Sequence, residues 1–156
     1  MSEATTAGVA LYGSDESTDD QRDALTNGEV PVAVYGLGKM GLPLAAVYAD
    51  ATQNVTGADV DQDVVDTINA GESHITGEPG LDELVSDLVD CGAFRAVSDP
   101  ATAAADARVH VAIVPTLIDE DGAPDLSIME SVMRDIASGL DEGDVVLAES
   151  TLPPRS

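Results

Sequence analysis

Apolar residues along this chain fall into short runs separated by longer amphipathic stretches. The runs Val32-Ala33-Val34-Tyr35, Asn54 to Ala58, Phe94 to Val97, Arg108 to Val114 and Asp144 to Ala148 predict strands at about 31–35, 53–58, 94–97, 108–114 and 144–148. Between them the spacing is helical. A helix at about 39–51 is alanine-rich, and one at 61–70 places Val64, Val65 and Ile68 on one face and stops at Gly71. The next, at 81–91, has Leu81, Leu84, Val85, Leu88 and Val89 at core spacing. A short alanine helix follows at 101–107, and a last one at 126–140 turns Ile128, Met129, Val132, Met133 and Ile136 inward. Glycine and proline make 72–80 a loop. Strand and helix alternate throughout, which is the mark of an α/β parallel sheet with helices on both faces.

The first strand runs into Gly36, Gly38 and Gly41, a G-x-G-x-x-G series that opens a helix. In that order the first glycine permits a tight turn, the second lets a pyrophosphate approach the backbone, and the third lets helix and strand pack closely. The helix start adds unpaired N–H groups and the positive end of its dipole. The second strand ends at Asp59, about 20 residues on, where an acid grips the ribose hydroxyls of NAD. Asp61 and Asp63 follow with no Arg between, a setting that repels a 2′-phosphate and favours NAD over NADP. These features predict a Rossmann-type doubly wound sheet, truncated after about five strands. Lys39 lies inside the phosphate turn, either offsetting coenzyme charge or facing solvent.

Charge changes the picture next. The chain has 156 residues with 30 Asp and Glu against 6 Lys and Arg, a formal net charge of -24, and Lys39 is its sole lysine. That sign excludes unspecific nucleic-acid binding. The acids are spread over every predicted helix and loop rather than massed in a tail, which points to a halophilic protein of a salty cytoplasm. Residues 1–28 read as an acidic N-terminal extension packed loosely on the domain at 29–156, with a short helix at Thr18 to Thr26 capped by Ser17 or Thr18 and stopped near Gly28.

Cys91 is the single cysteine, so the chain holds no disulfide framework, and it is expected as a small buried helix-end residue. His74 and His110 have no metal-ligand spacing, and His110 alternates with Val109 and Val111 as a sheet-face residue. Asp119, Glu120, Asp121 and Asp125 lack the register of a calcium loop and read as a solvated acidic turn, so no metal site is expected. No apolar run approaches a membrane span and no basic, apolar leader is present, giving a soluble cytoplasmic protein as the expectation.

Several motifs in order then carry a resemblance. They are Val34-Tyr35-Gly36-Leu37-Gly38-Lys39-Met40-Gly41-Leu42-Pro43-Leu44-Ala45, Gly57-Ala58-Asp59-Val60-Asp61, Gly71-Glu72-Ser73 and Glu78-Pro79-Gly80-Leu81. Val114-Pro115-Thr116, Asp121-Gly122-Ala123-Pro124-Asp125 and Glu149-Ser150-Thr151-Leu152-Pro153-Pro154 complete the series. Over about Val30 to Pro154 the chain resembles the UDP-glucose/GDP-mannose dehydrogenases, most of all a haloarchaeal form of the UDP-N-acetylmannosamine dehydrogenase branch. The resemblance implies NAD-dependent oxidation of a nucleotide sugar's C6 alcohol to a carboxylate, consuming two NAD. It places Gly36, Gly38, Lys39, Met40 and Gly41 at the pyrophosphate and nicotinamide, and Asp59 on the ribose. Val114, Pro115 and Thr116 would lie beside the adenosine half, Ser150 near the nicotinamide, and Thr151 would help place the catalytic water.

Members of that family are much longer. Their nucleophilic cysteine with its lysine and acid neighbours, the linking helix and the sugar-nucleotide domain all lie past the point where this chain ends, and Cys91 does not match the nucleophile. The sequence therefore predicts a fragment inactive alone, forming a homo-oligomer only if the missing part is present. A stand-alone, non-catalytic NAD-binding module is the alternative. A dehydrogenase of the phosphogluconate or hydroxyacyl type is disfavoured by the Glu78-Pro79-Gly80 loop and the Glu149-Ser150-Thr151 ending.

Overall fold

The computed structural model describes residues 10–156. Five parallel strands form one sheet in the order β3-β2-β1-β4-β7, with β1 (Val32–Tyr35) at its centre. β1 pairs with β2 (Val55–Ala58) on one side and β4 (Val109–Ala112) on the other, so that Val34 lies between Gly57 and Val111. β3 (Phe94–Val97) and β7 (Val145–Ala148) are the edges, β7 pairing Val109 with Val145 and Ala112 with Ala148. This is the doubly wound order expected from the glycine turn, and the five strand positions agree with the apolar runs to within a few residues.

Alternation along each strand sorts side chains onto two faces. Val32 and Val34 join Val55, Phe94, Val109 and Val111 in one core, covered by α2 (Gly41–Thr52), α3 (Gln62–Asn69) and α4 (Leu81–Asp90). Ala33 and Tyr35 face the other way, with α5 (Pro100–Asp106) and α6 (Ser127–Gly139). Met129, Val132 and Ile136 are buried from α6, while Ile128 and Met133 are half-buried.

Local chemistry explains the helix ends. The Asp99 side chain accepts the Ala101 N–H at the start of α5, with Pro100 at the first helical position, where it lacks nothing the helix needs. Asp61 caps α3 in the same way through Asp63. α1 (Thr18–Thr26) is capped by the Ser17 hydroxyl, and its Ala24 is buried in the first core. The loop after β4 forms an antiparallel pair, β5 (Leu117–Ile118) with β6 (Pro124–Asp125), where sequence reading gave only an acidic turn.

One expectation is corrected. Cys91 is exposed at the end of α4, not buried. The buried stripe of α4 is Leu81, Val85 and Leu88, and one more turn of that stripe reaches position 92 rather than 91. Ala93 and Phe94 supply the burial that follows.

A candidate dinucleotide cleft at the ends of the strands

The chain leaves β1 to build β2 on one side and crosses back to build β4 on the other. The crevice at the carboxyl ends of these strands is where open α/β sheets hold ligands. Here it is a cleft of about 1010 Å³. Its walls include Gly36, Gly38 and Gly41 from the turn, Asp59 just past β2, Val114 beyond β4 and Ser150 beyond β7.

The three glycines have separate reasons. Gly36 sits at φ +97, and a side chain there would also strike the Ile113 carbonyl. At Gly41 a Cβ would collide with the Gly36 carbonyl, so this glycine lets α2 fold back on the turn. Gly38 is different. A Cβ at Gly38 would meet no protein atom within 4 Å, and its φ is not in the left-handed region. Packing of the protein itself does not require glycine at this position.

The open space at Gly38 faces the start of α2, which has no side-chain cap. Among the described residues no acceptor takes the N–H of Lys39 or Met40. Free amides and the helix dipole together make an anion site. Lys39 is the one basic residue of the cleft wall, against the acids Asp59 and Glu149.

Asp59 is fixed by two backbone donors. Its Oδ2 accepts the Leu37 N–H and its Oδ1 the Asp61 N–H, each at 3.0 Å. Leu37 is fully buried, so the turn is anchored in the core while its amide holds the carboxylate at the cleft lip. Sequence reading found Asp59 by its distance from the glycines but missed Leu37, whose part is played by its backbone.

The opposite wall is laced by hydroxyls. Ser150 Oγ accepts the Val114 N–H at 2.9 Å and donates to the Val114 carbonyl at 2.8 Å. Thr116 Oγ1 donates to the Thr151 carbonyl at 2.7 Å. The expected residues Val114, Pro115, Thr116, Ser150 and Thr151 therefore all line the cleft, with the hydroxyls of Ser150 and Thr116 already engaged by the backbone. Tyr35 forms part of the floor, its hydroxyl 2.8 Å from His110 Nδ1, and burial raises its pKa with smaller contributions from Asp135 and Asp144. His74 and Cys91 stand outside the cleft. Among the described residues no group of three or more His, Cys, Asp or Glu side chains is placed to hold a metal, and no helix is long and apolar enough to cross a membrane.

Residues 30–156 match the family model for the UDP-glucose/GDP-mannose dehydrogenase family, NAD binding domain. The chain belongs to that family. As its NAD-binding domain, it is similar in sequence to the NDP-N-acetyl-D-galactosaminuronic acid dehydrogenase of Ralstonia nicotianae, 44% identical over 78% of this chain and 28% of the relative. The UDP-N-acetyl-D-mannosamine dehydrogenase of Escherichia coli is 43% identical over 80% of this chain and 29% of its own length. Among solved structures, the UDP-D-ManNAc dehydrogenase of Pyrococcus horikoshii superposes with a TM-score of 0.76 at 33% identity, covering 81% of this chain and 29% of that one. The GDP-mannose dehydrogenase of Pseudomonas aeruginosa gives 0.74 at 30% identity, covering 80% and 29%. The chain thus spans less than a third of the length of these relatives.

Proposed function

We propose that this domain binds NAD as the coenzyme half of a nucleotide-sugar dehydrogenase of the UDP-N-acetylmannosamine type, oxidising a C6 alcohol to a carboxylate. The observation that carries the coenzyme site is the empty space at Gly38, opposite uncapped amides and beside a carboxylate held at the lip. The amides of Gly38, Lys39 and Met40 would take the pyrophosphate, with Gly36 and Gly41 shaping the turn and Lys39 offsetting charge. Asp59 would take the adenosine ribose hydroxyls and repel a 2′-phosphate. Val114, Pro115 and Thr116 would flank the adenosine half. Ser150 would lie near the nicotinamide, and Thr151 would help place the catalytic water. Bound NAD supplies the hydride acceptor.

The sugar half of the reaction is proposed for the part of the longer relatives that this chain does not span. A sugar nucleotide is the substrate proposed for the longer enzyme, and a homo-oligomer is proposed only for that form. The extension at 1–28 and the domain at 29–156 are the proposed organisation. The charge of -24 supports a halophilic, cytoplasmic setting, where molar salt shortens the screening length to about 3 Å.

Thermal melting in molar KCl tests the site. NAD should raise the melting temperature, and NADP should not. Gly38→Ala should leave the melting temperature without coenzyme unchanged and abolish the NAD shift, because the added methyl touches no protein atom and enters only the cradle. A full NAD shift in Gly38→Ala refutes the placement.

A further inference from the structure

Hydrophobic burial specifies β7 less than any other strand of the sheet. Val145 is half-buried, and Val146, Leu147 and Ala148 are exposed, so the residues of this chain cover neither face. A slip of one residue normally carries an apolar face into solvent and is resisted for that reason. β7 lacks this protection. What it has is a buried polar anchor at its start and a double hydroxyl bond at its end.

At the start, the Asp144 side chain is 1% exposed. Its Oδ1 accepts Arg108 Nη1 at 3.1 Å and its Oδ2 accepts the Asp141 N–H at 2.9 Å. His110 Nε2 lies 3.6 Å from the same Oδ2, and His110 Nδ1 is bonded to Tyr35. The imidazole is fully buried, with Nε2 unpartnered apart from that approach. At the far end Ser150 grips both the N–H and the carbonyl of Val114. Between the anchors, Val145 N–H donates to the Arg108 carbonyl and Glu149 N–H to the Ala112 carbonyl, each at 2.9 Å.

We propose that Asp144 with His110 at one end, and Ser150 at the other, are positioning residues that set the register of β7 on β4 and so deliver Glu149, Ser150 and Thr151 to the cleft. In register, His110 stands opposite Val146. A shift of one residue removes the Asp144 carboxylate from Arg108 and His110 and leaves buried polar groups unmatched. Breaking such a pair is far more costly than the pair is stabilising, which is why buried polar groups act as registry devices. The same shift moves Ser150, which follows β7, by about 3.3 Å along β4 and breaks both bonds to Val114. The consequence for the coenzyme rests on the cleft reading above, whereas the register itself does not.

Amide hydrogen exchange by NMR on the whole chain in molar KCl provides the test. In Asp144→Ala/Ser150→Ala, the Val145 and Glu149 amides should exchange at least about tenfold faster. The central amides of Val32 and Gly36, bonded to the Asn54 and Ala58 carbonyls, should keep their protection. The cross-strand contacts of Val145 to Arg108 and of Glu149 to Ala112 should weaken, and Ser150→Thr on the Asp144→Ala background should restore Glu149. Unchanged protection of β7, or equal acceleration at β1 and β7, overturns the proposal. If the double variant does not fold, Asp144→Ala alone is read by the same criterion at Val145. Titrating NAD into the same samples separates the two readings, since absence of NAD binding by the unmutated chain would count against the cleft and leave the exchange result standing.

Discussion

On one face of the sheet, Val32, Val34, Val55, Phe94, Val109 and Val111 meet Leu42, Val85 and Leu88 from the helices. On the other, the sheet offers Ala33, Ala58 and Ala112, and α5 with its C-cap offers Ala103, Ala104 and Ala107. The first face is filled by volume. The second is filled by close approach, with α6 so near α5 that a Cβ on Gly139 would come within 2.5 Å of the Ala104 backbone. Into that narrow layer the protein fits a polar pair, Tyr35 and His110, with ring centroids 6.0 Å apart. The two faces should therefore fail in opposite ways, one when atoms are removed and the other when atoms are added.

The largest effect should come from removal on the aliphatic face. Phe94 is 1% exposed, and Phe94→Ala should cost about 3–5 kcal/mol by urea unfolding, from lost transfer energy plus the cavity. Addition on the other face should come next. Gly139→Ala forces α6 away from the Ala104 backbone and should cost about 1–3 kcal/mol, although it adds one methyl and improves helix propensity. A neutral or stabilising Gly139→Ala would end the contrast, because it would mean that the alanine layer has slack.

The smallest effect is a slope. Burial lowers the His110 pKa, against the opposing pull of Asp144, while Tyr35, Asp135 and Arg108 are the other titratable groups around that network. The unfolded chain then takes up the histidine proton before the folded chain does as pH falls below about 6.5. Stability from this source is present above that value and declines as pH falls through it. His110→Gln should flatten this part of the curve of melting temperature against pH. Asp125 acts lower down. Its pKa is held below the ordinary carboxylate value by the Ser127 hydroxyl and N–H, so its contribution is lost only where carboxylates titrate. An unchanged slope in His110→Gln would show that the histidine does not titrate differently on folding.

The same contrast explains what could be read from residues alone. The strand, the three glycines and Asp59 lie within one continuous stretch, and their chemistry is local, so the turn and its acid were visible at once. The alternating strands and helices were visible for the same reason. Contacts that join distant parts of the chain were not. Tyr35 and His110 meet across 75 residues, and Ser150 reaches Val114 across 36, with nothing in either neighbourhood to announce the pairing. His110 was legible as a sheet-face residue but not as a partner of Tyr35. The β5–β6 pair escaped because two-residue strands carry no periodicity. The exposure of Cys91 escapes sequence reading because the buried stripe of α4 runs one position out of phase with it, and a helix end does not announce that phase.

That exposed sulfur has a practical side. Cys91 precedes β3, at the amino ends of the strands, while the cleft opens at their carboxyl ends. A maleimide dye or a gold surface attached at this unique thiol would sit on the far pole of the molecule. The opening would be left facing the bulk liquid, so the fold carries its own handle for single-site labelling or oriented immobilisation.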